Sequence, residues 1–486
     1  MTLQLPDETI AVALCAEAAG LAERGDATAA LARYAQAVNA APALLPLHLI
    51  LANAQQLNGD TLGARATLRR ALRVAARPDA AAAFTLGKAL VDAGAGADAV
   101  PCFRHARAEH PHDAAAAAAL ASALRDAQQP DEAWREVRHA LRLAPDDPVA
   151  LLTAALVRHD LADYAGARDW CERSLAARPD SASARVTRGY LRHLRGDEAG
   201  GWADFEARPL PQPNTPSPPW RGELLESRTL LVVGEQGVGD QFQFLRFVHH
   251  PAVQSAARVV IACHRDAVSL LRASGYDAVA RDEPVAADYF VPLLSLPLLL
   301  DVGSTWRGAG DVYLRLPDVA SSTDRLANVW SDPRRTHKRR VGVVWAGNPT
   351  HRNDAVRSIP AAALSGLSQS HIDVQFVCLQ HGADDADMPS FGWERVPSGD
   401  WLETTRQLCT LDLLLTVDTG VAHLAGALGV PVWIMLPYVP DWRWGADGGT
   451  TPWYPSARLF RQPSRGNWAR VITSVSAALS SRGQSP

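Results

Sequence analysis

Residues suited to chemistry are densest near the C-terminus, in Asp418-Thr419-Gly420-Val421-Ala422-His423-Leu424-Ala425-Gly426-Ala427, after the apolar run 411–417. The pattern predicts a buried strand feeding a glycine-containing turn that opens a helix of small residues. Such a turn aims backbone N–H groups and the positive helix end at an anion, usually a phosphate. A second loop, Gly234-Glu235-Gln236-Gly237-Val238-Gly239-Asp240, follows a buried-strand pattern at 228–233 and precedes a helix expected over 241–248. Gly237 and Gly239 do not complete a dinucleotide fingerprint, and no acidic residue stands where a nicotinamide ribose would need one.

Loops of this kind need strands to carry them. Further strand patterns fall at 258–262 and 288–292. The series restarts at Val341-Gly342-Val343-Val344-Trp345-Ala346-Gly347-Asn348 and continues at 374–379, 411–417 and 430–435, with helical segments between. Strands alternating with helices imply parallel sheets covered on both faces. Two such halves, 228–330 and 338–480, would set the C-terminal strand ends opposite each other across a cleft. Ahead of them, PLPQPNTPSPPW at 209–220 holds six prolines and reads as the start of a stiff connector over 209–227.

The first two-fifths of the chain is periodic. Small residues recur at Ala30, Ala64, Ala99, Ala133 and Ala167, with Tyr34, Leu68, Phe103, Val137 and Cys171 four positions on. A second small series runs Ala37, Ala71, Ala106, Ala140 and Ser174, and prolines close the units at Pro42, Pro78, Pro111, Pro145 and Pro179. A 34-residue period with small residues at a helix crossing resembles the tetratricopeptide repeat. One more period lands on Gly201 and Phe205, so about six units are expected over 8–208. The resemblance implies an α-helical superhelix whose concave face holds an extended peptide or a protein; the alternative is an array that only supports its neighbour or a dimer.

Bulk properties narrow the class. With 486 residues, 47% hydrophobic and 21% charged, the chain is expected to fold into two or three domains. A net charge of −4 argues against general nucleic-acid affinity. Six dispersed cysteines without a CxxC pair fit neither a zinc site nor a disulfide framework. No signal pattern and no apolar run of about 18 residues is found, so the expectation is cytoplasmic, with no membrane span.

The second half resembles the heptosyltransferase-like glycosyltransferases of the GT-B fold, in particular bacterial proteins that fuse such a domain to tetratricopeptide repeats. The resemblance rests on Gly234 to Asp240, Trp345-Ala346-Gly347-Asn348-Pro349, Asn353-Asp354 with Arg357-Ser358, Asp418-Thr419-Gly420 with His423, and Asp441-Trp442-Arg443-Trp444, over about 215–480. It implies an α/β region of two Rossmann-like halves, the first on the acceptor side and the second on the nucleotide-sugar side. It also implies that the Gly239-Asp240 pair supplies the general base, with Glu235 a second candidate. Asp418, Thr419, Gly420, His423, Arg357, Ser358, Asn348 and Trp442 would serve the donor, with no metal and no cofactor beyond the nucleotide sugar.

Each residue also has a plainer reading. Asp240 could only cap the following helix, His423 could be a satisfied structural histidine, and Trp442 could be packing. Asp384-Asp385 with Asp387 reads as a solvated loop, and the basic run 334–340 as a connector or a contact for an acidic partner or lipid headgroup. The expected activity is sugar transfer to a protein acceptor held by the repeats, flagellin by analogy with related bacterial proteins. The alternatives are a non-catalytic repeat scaffold with a degenerate transferase domain, and a lipopolysaccharide-type heptosyltransferase-like enzyme.

Overall fold

The computed structural model describes residues 7–74, 79–306, 308, 310, 312–317, 338–349, 351, 353–371, 373–382, 392–396 and 399–480. The acidic 384–387 loop and the first four residues of the basic run, 334–337, lie outside them. The chain forms two compact units, Met1–Ala184 and Arg185–Pro486.

The first unit is five helix pairs: α1 (Asp7–Glu23) with α2 (Ala27–Ala40), α3 (Leu45–Leu57) with α4 (Thr61–Val74), α5 (Ala80–Asp92) with α6 (Val100–Glu109), α7 (Ala114–Asp126) with α8 (Pro130–Leu143), and α9 (Pro148–Asp160) with α10 (Tyr164–Ala177). Aspartates start several of them, because a carboxylate satisfies the unpaired N–H groups of a first turn. Asp79 accepts from Ala82 N, Asp113 from Ala116 N and Asp147 from Ala150 N. The small residues of the periodic series lie where helices cross: Ala64, Ala99, Ala133 and Ala167 are fully buried. Gly87 shows why, since a Cβ there would meet the Phe103 ring at 2.7 Å. The turn inside each pair needs one left-handed residue, supplied by Gly25, Gly59 and Gly94, but by Gln128 and Ala162 in the fourth and fifth pairs.

A sixth pair, α11 (Ala182–Leu194) with α12 (Glu198–Phe205), continues the period, yet all but its first turn belongs to the second unit. The 8–208 array is therefore divided: its last repeat is built into the α/β region. The Pro-rich connector is likewise no free spacer. Pro218 and Trp220 exchange backbone hydrogen bonds with Phe290 (3.0 and 2.8 Å), and Trp220 is buried.

Two parallel sheets follow. The first comprises β1 (Thr229–Val233), β2 (Arg258–Cys263), β3 (Asp277–Ala280) and β4 (Tyr289–Pro292), in the order β3-β2-β1-β4. The second comprises β5 (Arg339–Val344), β6 (Val374–Cys378), β7 (Glu394–Arg395), β8 (Leu413–Val417), β9 (Val432–Leu436) and β10 (Ala457–Arg461), in the order β10-β9-β8-β5-β6-β7. Strands β8 and β9 are buried along their whole length, as strands covered on both faces must be. The helices that shape the site are α13 (Val238–Phe244), α14 (Val268–Ala273), α15 (Trp401–Leu408) and α16 (Gly420–Ala427); α17 (Trp468–Ser480) packs Trp468, Val471 and Val475 into the core of the second sheet. Strands β3, β7 and β10 have no counterpart in the sequence reading. The expected helix at 241–248 begins three residues earlier, at Val238, because Asp240 reaches back to Gly237 N–H (2.9 Å) and closes the first turn there.

Candidate functional site

In each sheet the strand order reverses at one place, between β1 and β4 in the first and between β5 and β8 in the second. Crevices for ligands form at the C-terminal strand ends beside such a reversal. The loops there are Gly234 to Asp240 after β1, Trp345 to Asn348 after β5, and Asp418 to Gly420 after β8. Loops from both sheets line one cavity of about 1220 Å³, to which Gly237, Gly239, Asp240, Asn348, Arg357, Asp418, Thr419, Gly420 and His423 all contribute.

Helices α13 and α16 meet at the cavity floor through glycine. A Cβ on Gly239 would lie 3.0 Å from Gly420 Cα and 2.9 Å from the His423 ring, so only glycine permits this approach. Thr419 is the N-cap of α16 but makes no side-chain capping bond; its hydroxyl is 3.2 Å from that of Thr416. Arg357 lines the opposite wall, bonded through Nε to Asp354 (3.3 Å). Ser358 does not line the cavity. Its hydroxyl accepts from Gly347 N (3.1 Å) and donates to Asp354 (3.0 Å), which holds the post-β5 loop in shape.

Besides Ser358, two more expected site residues lie off the cavity wall. Glu235 is buried away from the cavity in a two-pronged ion pair with Arg208 (2.7 and 2.9 Å) and also accepts from Leu294 N (3.1 Å). A carboxylate so fully bonded is a structural tie and not a base on the cavity wall. Trp442 is buried too, stacked on His193 (4.5 Å, 29°) and edge-on to Trp202 (5.5 Å). Its role is packing, since no face is left for a base or sugar.

His423 is packed between Trp444 (5.2 Å, 19°) and Tyr454, whose hydroxyl is 3.0 Å from Nδ1. Burial, aided by the nearby Arg443 charge, pulls its pKa down to about 3, so the ring is neutral near pH 7. Asp418 is moved the other way: burial and the Asp441 carboxylate push it up to about 6, against the pull of Arg357. Burial also disfavours the Asp441 anion, but contact with Arg443 outweighs this and holds it below the usual carboxylate range.

Arg443, read from the sequence only as a cation near the cleft and not among the expected site residues, is central here. Its guanidinium is buried on the cavity wall, donates to Asp441 (2.8 Å) and Gln243 (2.9 Å), and pairs with Asp240. The Asp441-Trp442-Arg443-Trp444 run gave a signal for it, but no spacing rule links position 443 to 240. Among the described residues no three His, Cys, Asp or Glu side chains gather as a metal site, and no helix is long and apolar enough to cross a membrane.

No family model matches the chain. It is similar to the protein FlbA of Caulobacter vibrioides, 25% identical over 320 residues that cover 57% of this chain and 52% of FlbA. The chain thus spans about half the length of that curated relative. Among solved structures, a tetratricopeptide repeat protein from Parabacteroides merdae is 17% identical with a TM-score of 0.34, covering 41% of this chain and 78% of its own. YrrB, a TPR protein with an unusual peptide-binding site, is 19% identical with a TM-score of 0.29, covering 36% and 89%. The chain itself shows helix pairs repeating in a register of 34 or 35 residues, an architecture similar to that of tetratricopeptide repeats.

Proposed function

We propose that the second unit is an inverting glycosyltransferase of the GT-B kind that moves a sugar from a nucleotide donor to a protein acceptor bound by the helical repeats. The observation that carries this reading is the cavity itself. It joins the reversal points of two parallel sheets and is lined by a helix N-terminus, Arg357 and the Asp240 carboxylate. In the transfer, an acceptor hydroxyl attacks the anomeric carbon while the bond from that carbon to the diphosphate breaks. The proton passes to Asp240. Charge gathering on the leaving diphosphate is met by the first-turn N–H groups of α16 and by Arg357.

A non-catalytic scaffold is favoured by one observation: both Asp240 oxygens are engaged, one by Arg443 and one by Gly237 N–H. The two readings part in a thermal-shift panel of UDP, GDP, ADP and CMP sugars against the wild type and a Thr419→Ala, Arg357→Ala variant. A donor at about 100 times its Kd adds about 2.7 kcal/mol of stability, and that gain should vanish in the variant. Asp240→Asn should keep donor binding and lose transfer to protein in lysate, with flagellin among the acceptors tried. No shift with any nucleotide selects the scaffold.

A further inference from the structure

We propose that Arg443 is the positioning residue of this site: it ties the two cavity walls together and fixes the plane of the Asp240 carboxylate. The role in transfer rests on the glycosyltransferase reading; the tie itself does not.

The argument begins with what the guanidinium touches. Nη2 pairs with Asp240 and Nε donates to Gln243 (2.9 Å), both on α13 of the first sheet. Nη1 donates to Asp441 (2.8 Å), in the loop after β9 of the second sheet. One rigid, planar cation therefore spans the cleft, with its fork of donors divided between the walls. Its face lies over the Trp442 ring at 4.4 Å, and Trp442 is itself clamped by His193 and Trp202 of the sixth helix pair. The guanidinium cannot swing without leaving the Trp442 ring.

The consequence falls on Asp240. One oxygen is aimed at a fixed cation and the other at Gly237 N–H (2.9 Å), so the carboxylate cannot rotate and its remaining lone pairs keep one direction. Trp442, buried and useless as a ligand platform, acquires a purpose as the floor on which Arg443 rests. The last repeat becomes part of the site through the same stack.

A double-mutant cycle tests the tie without any assay of transfer. Asp240→Asn and Arg443→Gln should each lower the Tm of the full chain, and the double variant should fall no further than Arg443→Gln alone, because the shared interaction is lost only once. Additive losses overturn the proposal. Arg443→Met, which also deletes the cation, serves the same cycle if the Gln variant does not fold.

Where the wild type transfers sugar, Arg443→Gln should lower kcat about 100-fold with the donor KM within about threefold, and Arg443→Lys should recover part of the loss. Equal loss in Lys and Gln variants, or a loss confined to KM, refutes the positioning role. A non-additive cycle in a protein that transfers nothing leaves the tie standing and removes the transferase reading; additive losses in an active enzyme do the reverse.

Discussion

Asparagine in place of Asp418 should make the protein more stable at neutral pH and leave it nearly unchanged at pH 4. Asp418 sits at the end of β8, where burial and the Asp441 carboxylate raise it from 3.8 to about 6. The folded chain holds this proton more tightly than the unfolded chain, so stability falls as pH rises through that window. Above it both states are ionised and the full cost is present. At about 1.4 kcal/mol per pH unit that cost is on the order of 2–3 kcal/mol. Asn removes the repelled charge and keeps the shape. Melting of the full chain followed across pH should show the second unit's transition about 4 °C higher for Asp418→Asn at pH 7.5, with the two curves converging towards pH 4. A variant less stable than wild type at pH 7.5, or a gain that persists unchanged at pH 4, would refute the account of a repelled buried carboxylate.

Two further outcomes follow from packing. Gly239→Ala would drive a methyl to within 3.0 Å of Gly420 Cα and 2.9 Å of His423, so α13 and α16 must part; the Tm should fall and nucleotide-induced shifts should disappear together, whereas a silent substitution would show that the helices are not in contact. Ala162→Gly should stabilise the first unit by about 1 kcal/mol, because Ala162 is held at φ 60° in the turn before α10; chemical denaturation of the isolated transition would reveal the gain, and a loss would mean the left-handed turn is not present.

The helical period was legible because it is local. Two helices that cross at a fixed point need a small residue there once per repeat, and Ala64, Ala99, Ala133 and Ala167, 34 or 35 positions apart, meet that demand whatever else the chain does. The left-handed turn position went unread: Gly25, Gly59 and Gly94 occupy it in three pairs, but Gln128 and Ala162 break its period. Central strands such as β8 declared themselves as unbroken apolar runs. Edge strands β3 and β10 did not, since a strand with one partner carries mixed residues that look like loop.

The candidate site divides along the same line. Gly237, Gly239, Thr419 and Gly420 were readable as loop chemistry because each acts through its own backbone. Glu235 and Trp442 were not, since their fates depend on Arg208 and on His193, residues distant in sequence whose side chains reach them only after folding. The repeat, the parallel sheets and the two loops at strand ends could be read along the chain, because all of them follow from periodicity and turn geometry. Which carboxylate faces the cavity, which is buried in an ion pair, and that one guanidinium joins Asp240 to Asp441 emerged on folding, because charge and burial act through space and not along the chain.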